Sequence, residues 1–264
     1  MSHPEVEVTS DGAARWIAIH RPSTRNGLTD EVNAALIEAF KAAGADPAVR
    51  CVVLTGKGGD FCSGLDLKAA AALVASGAVA DTDKHLRDYF HGLIRVIRAV
   101  DKPVIALVDG AAVGFGCDLA LACDLRIGTE RTRMGEVFVK RGLMPDGGGS
   151  WMLPRLVGVA KALELMFTGE LIGADVALAL GLVNRVLPSG EVEAHTRELA
   201  RRLAAGPPLA YARIKRAVYG AQSLTLDQAL DVEREGQLEL LRSRDFVEGV
   251  TAFLQKREPD FRGE

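Results

Sequence analysis

The chain opens on alternation. Val6 and Val8 stand one residue apart, Ser10-Asp11-Gly12 gives a turn signal, and Trp16-Ile17-Ala18-Ile19 follows as an apolar run. Such runs on either side of a Gly turn predict two short strands. Over residues 29–43 the period changes. Val32, Leu36, Ile37 and Phe40 share one helical face, Thr29 stands where a capping hydroxyl is needed, and Asp30 and Glu31 suit the positive end of the helix dipole. Two later runs, Cys51-Val52-Val53-Leu54 and Val104-Ile105-Ala106-Leu107-Val108, are apolar at every position. A strand without a polar face is buried on both sides, as in a sheet covered by helices. Residues 83–100 read as helix, so buried strands alternate with helices and an α/β architecture is predicted. Residues 68–82 are small and weakly patterned, and are expected to form a mobile helix or lid. After Pro188 the pattern is almost wholly helical, with Thr225 and Gln228 spaced as a capping box and Gly206-Pro207-Pro208 as punctuation. The chain is divided accordingly into an α/β part, 1–198, and a helical part, 199–264.

Composition narrows the classes. The 264 residues are 48% hydrophobic and 25% charged, which suffices for a sizeable core. A formal charge of −3 gives no basic excess to recruit nucleic acid. The polar N-terminus has no apolar signal core and no run is long enough to span a membrane, so the cytoplasm is the expected location. The four cysteines, 51, 62, 117 and 123, form no CxxC pair, and none has a His at zinc-like spacing. The five His residues are scattered, and no metal site is expected.

Familiar motifs fail on inspection. GKGGD at 56–60 lacks the GK[ST] ending of a phosphate loop, and Gly114-Phe115-Gly116 lacks the third glycine of a dinucleotide fingerprint. No GxSxG elbow exists. What remains is a pair of Gly-containing loops, each following a buried strand: Phe61-Cys62-Ser63-Gly64-Leu65-Asp66-Leu67, and residues 110–118, GAAVGFGCD. Glycine lets backbone approach a ligand closely, and a loop that opens a helix aims its N–H groups outward. Two such loops facing each other could clamp one oxygen between amide donors; two ordinary tight turns would look the same.

The wider pattern resembles the crotonase (enoyl-CoA hydratase/isomerase) family. FCSGLDL and DGAAVGFGCDLALACDLRI are similar to its two oxyanion loops. RPSTRNGLTDEV, MGEVFVKRGLMPDGGGSWMLPRLVG, FTGELIGADVALALGLVNRVLP and DFVEGVTAFLQKREPDFRG resemble its other blocks, in order, over almost the whole chain. The resemblance implies a spiral of ββα units with a helical C-terminal trimerisation region, and assembly as a trimer or a dimer of trimers. It implies backbone oxyanion donors at Ser63 and Phe115, flanked by Gly64 and Gly114 at the substrate. It places Arg25 and Lys256 at coenzyme A phosphates, Lys256 often across a subunit boundary, and Phe253 near the adenine. Without it, Arg25 and Lys256 would read as solvated charges.

The resemblance puts acid/base candidates at Asp118 and Glu136. The expected reaction is syn hydration of a trans-2-enoyl-CoA, with water oriented by both carboxyls and Glu136 supplying the α-proton. No metal or redox cofactor is implied; coenzyme A enters with the substrate. Asp118 is a methylene shorter than the family's Glu and could instead be a structural helix residue. Asp146, in MPDGGGS, is a third candidate, because some relatives that isomerise double bonds or epoxides carry an important Asp there; it could equally be a turn residue. A double-bond isomerase is therefore the alternative reaction. A non-catalytic or RNA-binding member would want a basic surface and lost carboxylates, and the sequence shows neither clearly.

Overall fold

A computed structural model describes residues 3–68, 71, 75 and 82–264; the expected lid at 68–82 falls for the most part outside them. The strands are β1 (Val6–Asp11), β2 (Ala14–Ile19), β3 (Cys51–Gly56), β4 (Val104–Val108), β5 (Ala111–Val113), β6 (Leu125–Thr129), β7 (Arg133–Gly135), β8 (Ile172–Gly173) and β9 (Arg185–Leu187). The helices are α1 (Asp30–Ala45), α2 (Thr82–His85), α3 (His91–Ala99), α4 (Phe115–Ala122), α5 (Gly149–Val157), α6 (Val159–Thr168), α7 (Ala174–Ala179), α8 (Val192–Ala205), α9 (Pro208–Ala221), α10 (Leu226–Leu240) and α11 (Arg244–Gln255). Residues Leu86–Phe90 form a π-helical turn between α2 and α3, so the helix expected over 83–100 is interrupted.

The larger sheet has the order β1-β2-β3-β4-β6-β9. β1 pairs antiparallel with β2 across the Gly12 turn, and every later pairing in this sheet is parallel. The all-apolar strands are explained by burial on both faces. Val52, Leu54, Val104, Ala106 and Val108 join a large cluster with residues of α1, α3 and α4. Cys51, Val53, Ile105 and Leu107 turn the other way, against Val192 and Ala200 of α8. The sequence division at 198/199 therefore falls inside α8, which packs on the sheet and belongs with the core. The chain leaves that layer only at Gly206. Thr29 caps α1 and Thr225–Gln228 closes a capping box on α10, as their spacing predicts.

One carboxylate fastens the helical region to the sheet. Asp124, just before β6, accepts the Val104 N–H (2.8 Å), the Lys215 ammonium (2.8 Å) and the Tyr219 hydroxyl (2.5 Å). Beyond this tie, Ile214, Val218, Leu226, Leu230, Phe246, Val247, Phe253 and Leu254 expose apolar surface along α9 to α11.

Both functional loops run from the ends of parallel strands, β3 and β4, and they meet backbone to backbone. Cys62 bridges Ala112: its N–H donates to the Ala111 carbonyl (2.8 Å) and its carbonyl accepts from Val113 N–H (3.0 Å). Leu65 bridges Leu28 on the other side. The approach leaves no room for side chains. A Cβ on Gly116 would overlap the Cys62 carbonyl oxygen, and one on Gly64 (φ +85) would lie 2.7 Å from the Val113 oxygen. Gly116→Ala is therefore expected to destabilise the fold by about 1–3 kcal/mol through forced backbone displacement. Urea denaturation checks this, and a variant as stable as the parent would show that the loops can separate freely.

Candidate active site

In the first loop the backbone alternates direction. Ser63 N–H donates to the Arg25 carbonyl at 3.0 Å, so the amide expected to be free is engaged within the fold. The Leu28–Leu65 bridge is made by Leu28 N–H to the Gly64 carbonyl (2.8 Å) and Asp66 N–H to the Leu28 carbonyl (2.9 Å). In a parallel bridge of this kind both backbone groups of Leu28 face the loop, and those of Leu65 face away from Leu28. Leu65 N–H thereby finds no acceptor among the described residues. The amide left open in this loop is that of Leu65, two residues beyond the one the resemblance implies. A motif alone does not show this, because it depends on which neighbour takes each N–H.

The second amide that the resemblance implies, that of Phe115, stands at a helix start. Phe115 is the first residue of α4, and its N–H is one of the orphan amides of a helix start. It too has no acceptor among the described residues. Gly114 (φ +57) makes the turn into the helix, and its N–H donates to the Gly135 carbonyl at 2.8 Å. Gly64 lies against the helix start, since a Cβ there would sit 3.2 Å from Phe115 N. The first loop thus lies against the positive end of a helix dipole, and the Leu65 and Phe115 N–H groups keep no acceptor among the described residues.

Beside them opens a cleft of about 420 Å³, bordered by Arg25, Leu65, Lys68, Val113, Arg133 and Arg141. Sequence reasoning singled out Arg25 alone of these cations. Arg25 is held by Asp60 through two bonds, 2.8 and 3.1 Å, and keeps about two thirds of its side chain exposed. Asp66, in the first loop, accepts the Lys68 N–H and pairs with Arg21. Phe253 and Lys256 do not border this cleft. They stand at the end of α11, Phe253 81% exposed and Lys256 capping the helix at φ +54.

The three carboxyls are brought together, but in unequal surroundings. Asp118 on α4 is fully buried and Glu136, just after β7, is 2% exposed. Their carboxyls lie within hydrogen-bonding reach of each other, and neither enters an ion pair among the described residues. Asp118 Oδ2 accepts the Gly147 N–H at 2.9 Å. Burial, first, and the Glu136 charge, second, hold the Asp118 carboxyl well above the usual carboxylate range. Burial pushes Glu136 up to about 7, against the lowering effect of contacts with Cys117 and Asp118. The space beside Glu136 is about 10 Å³ and otherwise lined by Cys117, Met134, Gly135, Leu153, Leu165, Ile172 and Leu182. It is at the lower limit for a single water and apolar, so no substrate enters there. The picture of two carboxyls around a substrate water does not match these surroundings.

Asp146 differs. It retains partial exposure, and its Oδ1 has no hydrogen-bond partner among the described residues. Partial burial raises its pKa, opposed by the charge of His91 at the start of α3. The next residue, Gly147, packs on the Phe115 ring and Asp118, which puts Asp146 beside the second oxyanion donor. Phe90 meets Phe115 edge-on at 4.7 Å and completes this wall.

Paired free amides with a carboxyl beside them are a site for stabilising and protonating an enolate. Comparison with known proteins identifies the class. The profile of the enoyl-CoA hydratase/isomerase family matches residues 10–264. The 1,2-epoxyphenylacetyl-CoA isomerase of Escherichia coli is 37% identical over 94% of this chain and 94% of that protein. The 2,3-dehydroadipyl-CoA hydratase of the same species is 35% identical over 98% of this chain and 99% of its own. Among solved structures, an enoyl-CoA hydratase from Polaromonas sp. JS666 superposes with a TM-score of 0.91 at 39% identity, covering 97% of this chain and 99% of that one. The chain belongs to the enoyl-CoA hydratase/isomerase family, with its crotonase-type α/β fold and helical C-terminal region, and is an enzyme.

The buried pair has a measurable consequence for stability. Glu136 has a folded-state pKa above its unfolded value of 4.5, so its contribution is fully present below about 4.5 and is lost as pH rises through about 7. The loss approaches about 3 kcal/mol. Thermal midpoints at pH 5.5 and 8.5 are expected to differ more in the wild type than in Glu136→Gln, which cannot ionise. Equal pH dependence in the two would show Glu136 to be ordinarily solvated.

Proposed function

We propose that this enzyme moves a proton along the acyl chain of an enoyl-CoA, isomerising a double bond through an enolate. The observation that carries this reading is the inequality of the carboxyls: Asp146 alone of the three keeps open surface, while Asp118 and Glu136 are closed in on each other. Hydration must orient a water as well as move a proton, which favours two accessible groups; isomerisation has no water to position and needs one base. In this account the thioester oxygen accepts from the N–H groups of Leu65 and Phe115. Asp146 removes a proton from the carbon next to the thioester, the charge passes to that oxygen, and the same carboxyl returns the proton two carbons further on. Partial burial suits the role, because a carboxyl raised above its usual range gives back the proton it takes. That a 37%-identical relative is named an isomerase agrees with this, and other relatives named hydratases keep hydration as the competing outcome.

Coenzyme A would lie along the cleft, its phosphates near Arg25, Lys68 and Arg141. Phe253 and Lys256 would reach it from a neighbouring subunit. The apolar face of α9 to α11 supports a trimer, or a dimer of trimers, as the working unit.

Two measurements test the chemistry. Given a 3-enoyl-CoA, the wild type is expected to produce the 2-enoyl ester faster than it hydrates crotonyl-CoA, with Asp146→Asn slower by about 10²-fold or more. Faster hydration, surviving in Asp146→Asn, would establish the hydratase reading instead. For the donors, Leu65→Pro deletes an N–H and is expected to cost on the order of 10²- to 10³-fold in kcat, whereas Ser63→Ala stays within a few-fold of wild type. A Ser63→Ala enzyme as impaired as Leu65→Pro would return the role to residue 63.

A further inference from the structure

Resting on the assignment of Asp146 as the acid/base, we infer that Asp118 and Glu136 share one proton and act as positioning residues, fixing the Gly147–Gly149 turn that carries Asp146. The first ground is their hydrogen bonding. Asp118 Oδ1 and both Glu136 oxygens accept no N–H or O–H among the described residues, only the Cys117 thiol lies against Glu136, and the two carboxyls face each other in a sealed interior. Two ionised carboxylates have only acceptors to offer, so the contact is repulsive unless one of them carries a proton, which then forms an O–H···O bond between them. No cation pairs with either among the described residues, so a shared proton is the economical neutraliser.

The second ground is where the pair lies. Asp118 Oδ2 holds the Gly147 N–H at 2.9 Å. A Cβ on Gly149 would overlap Asp118 Oδ1 and lie 3.0 Å from Glu136 Oε1. One on Gly147 would lie 2.6 Å from the Asp118 Cβ. The glycine turn is therefore laid directly on the carboxyl pair, with Gly148 at φ +89 giving its bend. Asp146 enters this turn and can be no better placed than the surface beneath it. Displacements of about an ångström at a reacting group cost on the order of 10²-fold.

The groups facing the pair are the Cys117 thiol on α4 and the Asp146 carboxyl above; His91 of α3 lies beyond, acting on Asp146. None of them neutralises a second charge inside. Burial and the Glu136 charge keep the last proton of the pair on Asp118, well above the usual carboxylate range, and its loss leaves two repelling carboxylates under the turn. The pH profile then has two independent sides. Activity rises as Asp146 ionises to its basic form and falls again as the pair beneath it gives up its proton.

The experiment compares pH profiles of kcat and KM for wild type, Glu136→Ala, Glu136→Gln, Asp118→Asn and Asp146→Asn on a 3-enoyl-CoA. Glu136→Ala is expected to lower kcat by about tenfold with KM little changed, because the turn loosens while the cleft stays intact. Glu136→Gln donates an amide hydrogen to Asp118 at any pH, so it should recover most of that loss and lack the falling limb. Asp118→Asn should also lack it, since its amide can accept from Gly147 and donate to Glu136. These two variants keep side-chain volume and carry the test if Glu136→Ala does not fold. A Glu136→Gln enzyme as inactive as Asp146→Asn, or one retaining the wild-type falling limb, overturns the positioning role. An active Asp146→Asn overturns the assignment of the base itself, which is a different result from either.

Discussion

The site depends on two loops meeting with no side chain between them. Cys62 is bonded on both sides to the strand that leads into α4, and Gly116 and Gly64 stand where a Cβ would collide with backbone oxygen of the facing loop. This contact locks the first loop to the start of the helix. It also decides which amides remain free. Every N–H used in joining the loops is lost to the substrate, and those of Leu65 and Phe115 are among the ones that keep no acceptor among the described residues. Such donors need no reorganisation when charge develops on a thioester oxygen, which is what makes a fixed pair of amides effective. The parallel sheet contributes by holding β3 and β4 in register, so that both loops emerge from the same end.

Beneath that surface the three carboxyls differ in burial. Asp118, Glu136 and Asp146 come from three different segments and converge around one glycine turn. The same residue type answers to different demands there. Two carboxyls without a cation are stable in the interior when they share a proton, and a third, at the boundary, can take up and release one. Burial is what divides the three.

Much of this was legible in the sequence. The all-apolar strands, the Thr29 cap, the Thr225–Gln228 box and the order of the motif blocks state the α/β core and the helical C-terminus, because they rest on local patterning. Phe115 was named through the family resemblance, and its amide stays unpaired among the described residues because a helix start leaves its first N–H groups without partners. Ser63 was misleading because it sits beside the glycine, and only the bond to Arg25 in a distant segment removes its N–H from play. The carboxyl roles were illegible on similar grounds. Residue type and spacing placed Asp118 and Glu136 at the chemistry, but exposure and mutual contact are properties of the folded interior. The division at 198/199 followed a change in pattern and missed that α8, though part of the helical stretch, packs against the sheet.

In the proposed reaction Asp146 exchanges a proton with the carbon next to a thioester held by the Leu65 and Phe115 amides. Deuterium uptake from D₂O into the α-position of a saturated acyl-CoA, followed by mass spectrometry, tests this without any need for turnover. The wild type is expected to catalyse the exchange and Asp146→Asn to lose it while still binding the ester. Exchange that persists in Asp146→Asn and disappears in Glu136→Gln would contradict the account and place the proton on the buried pair.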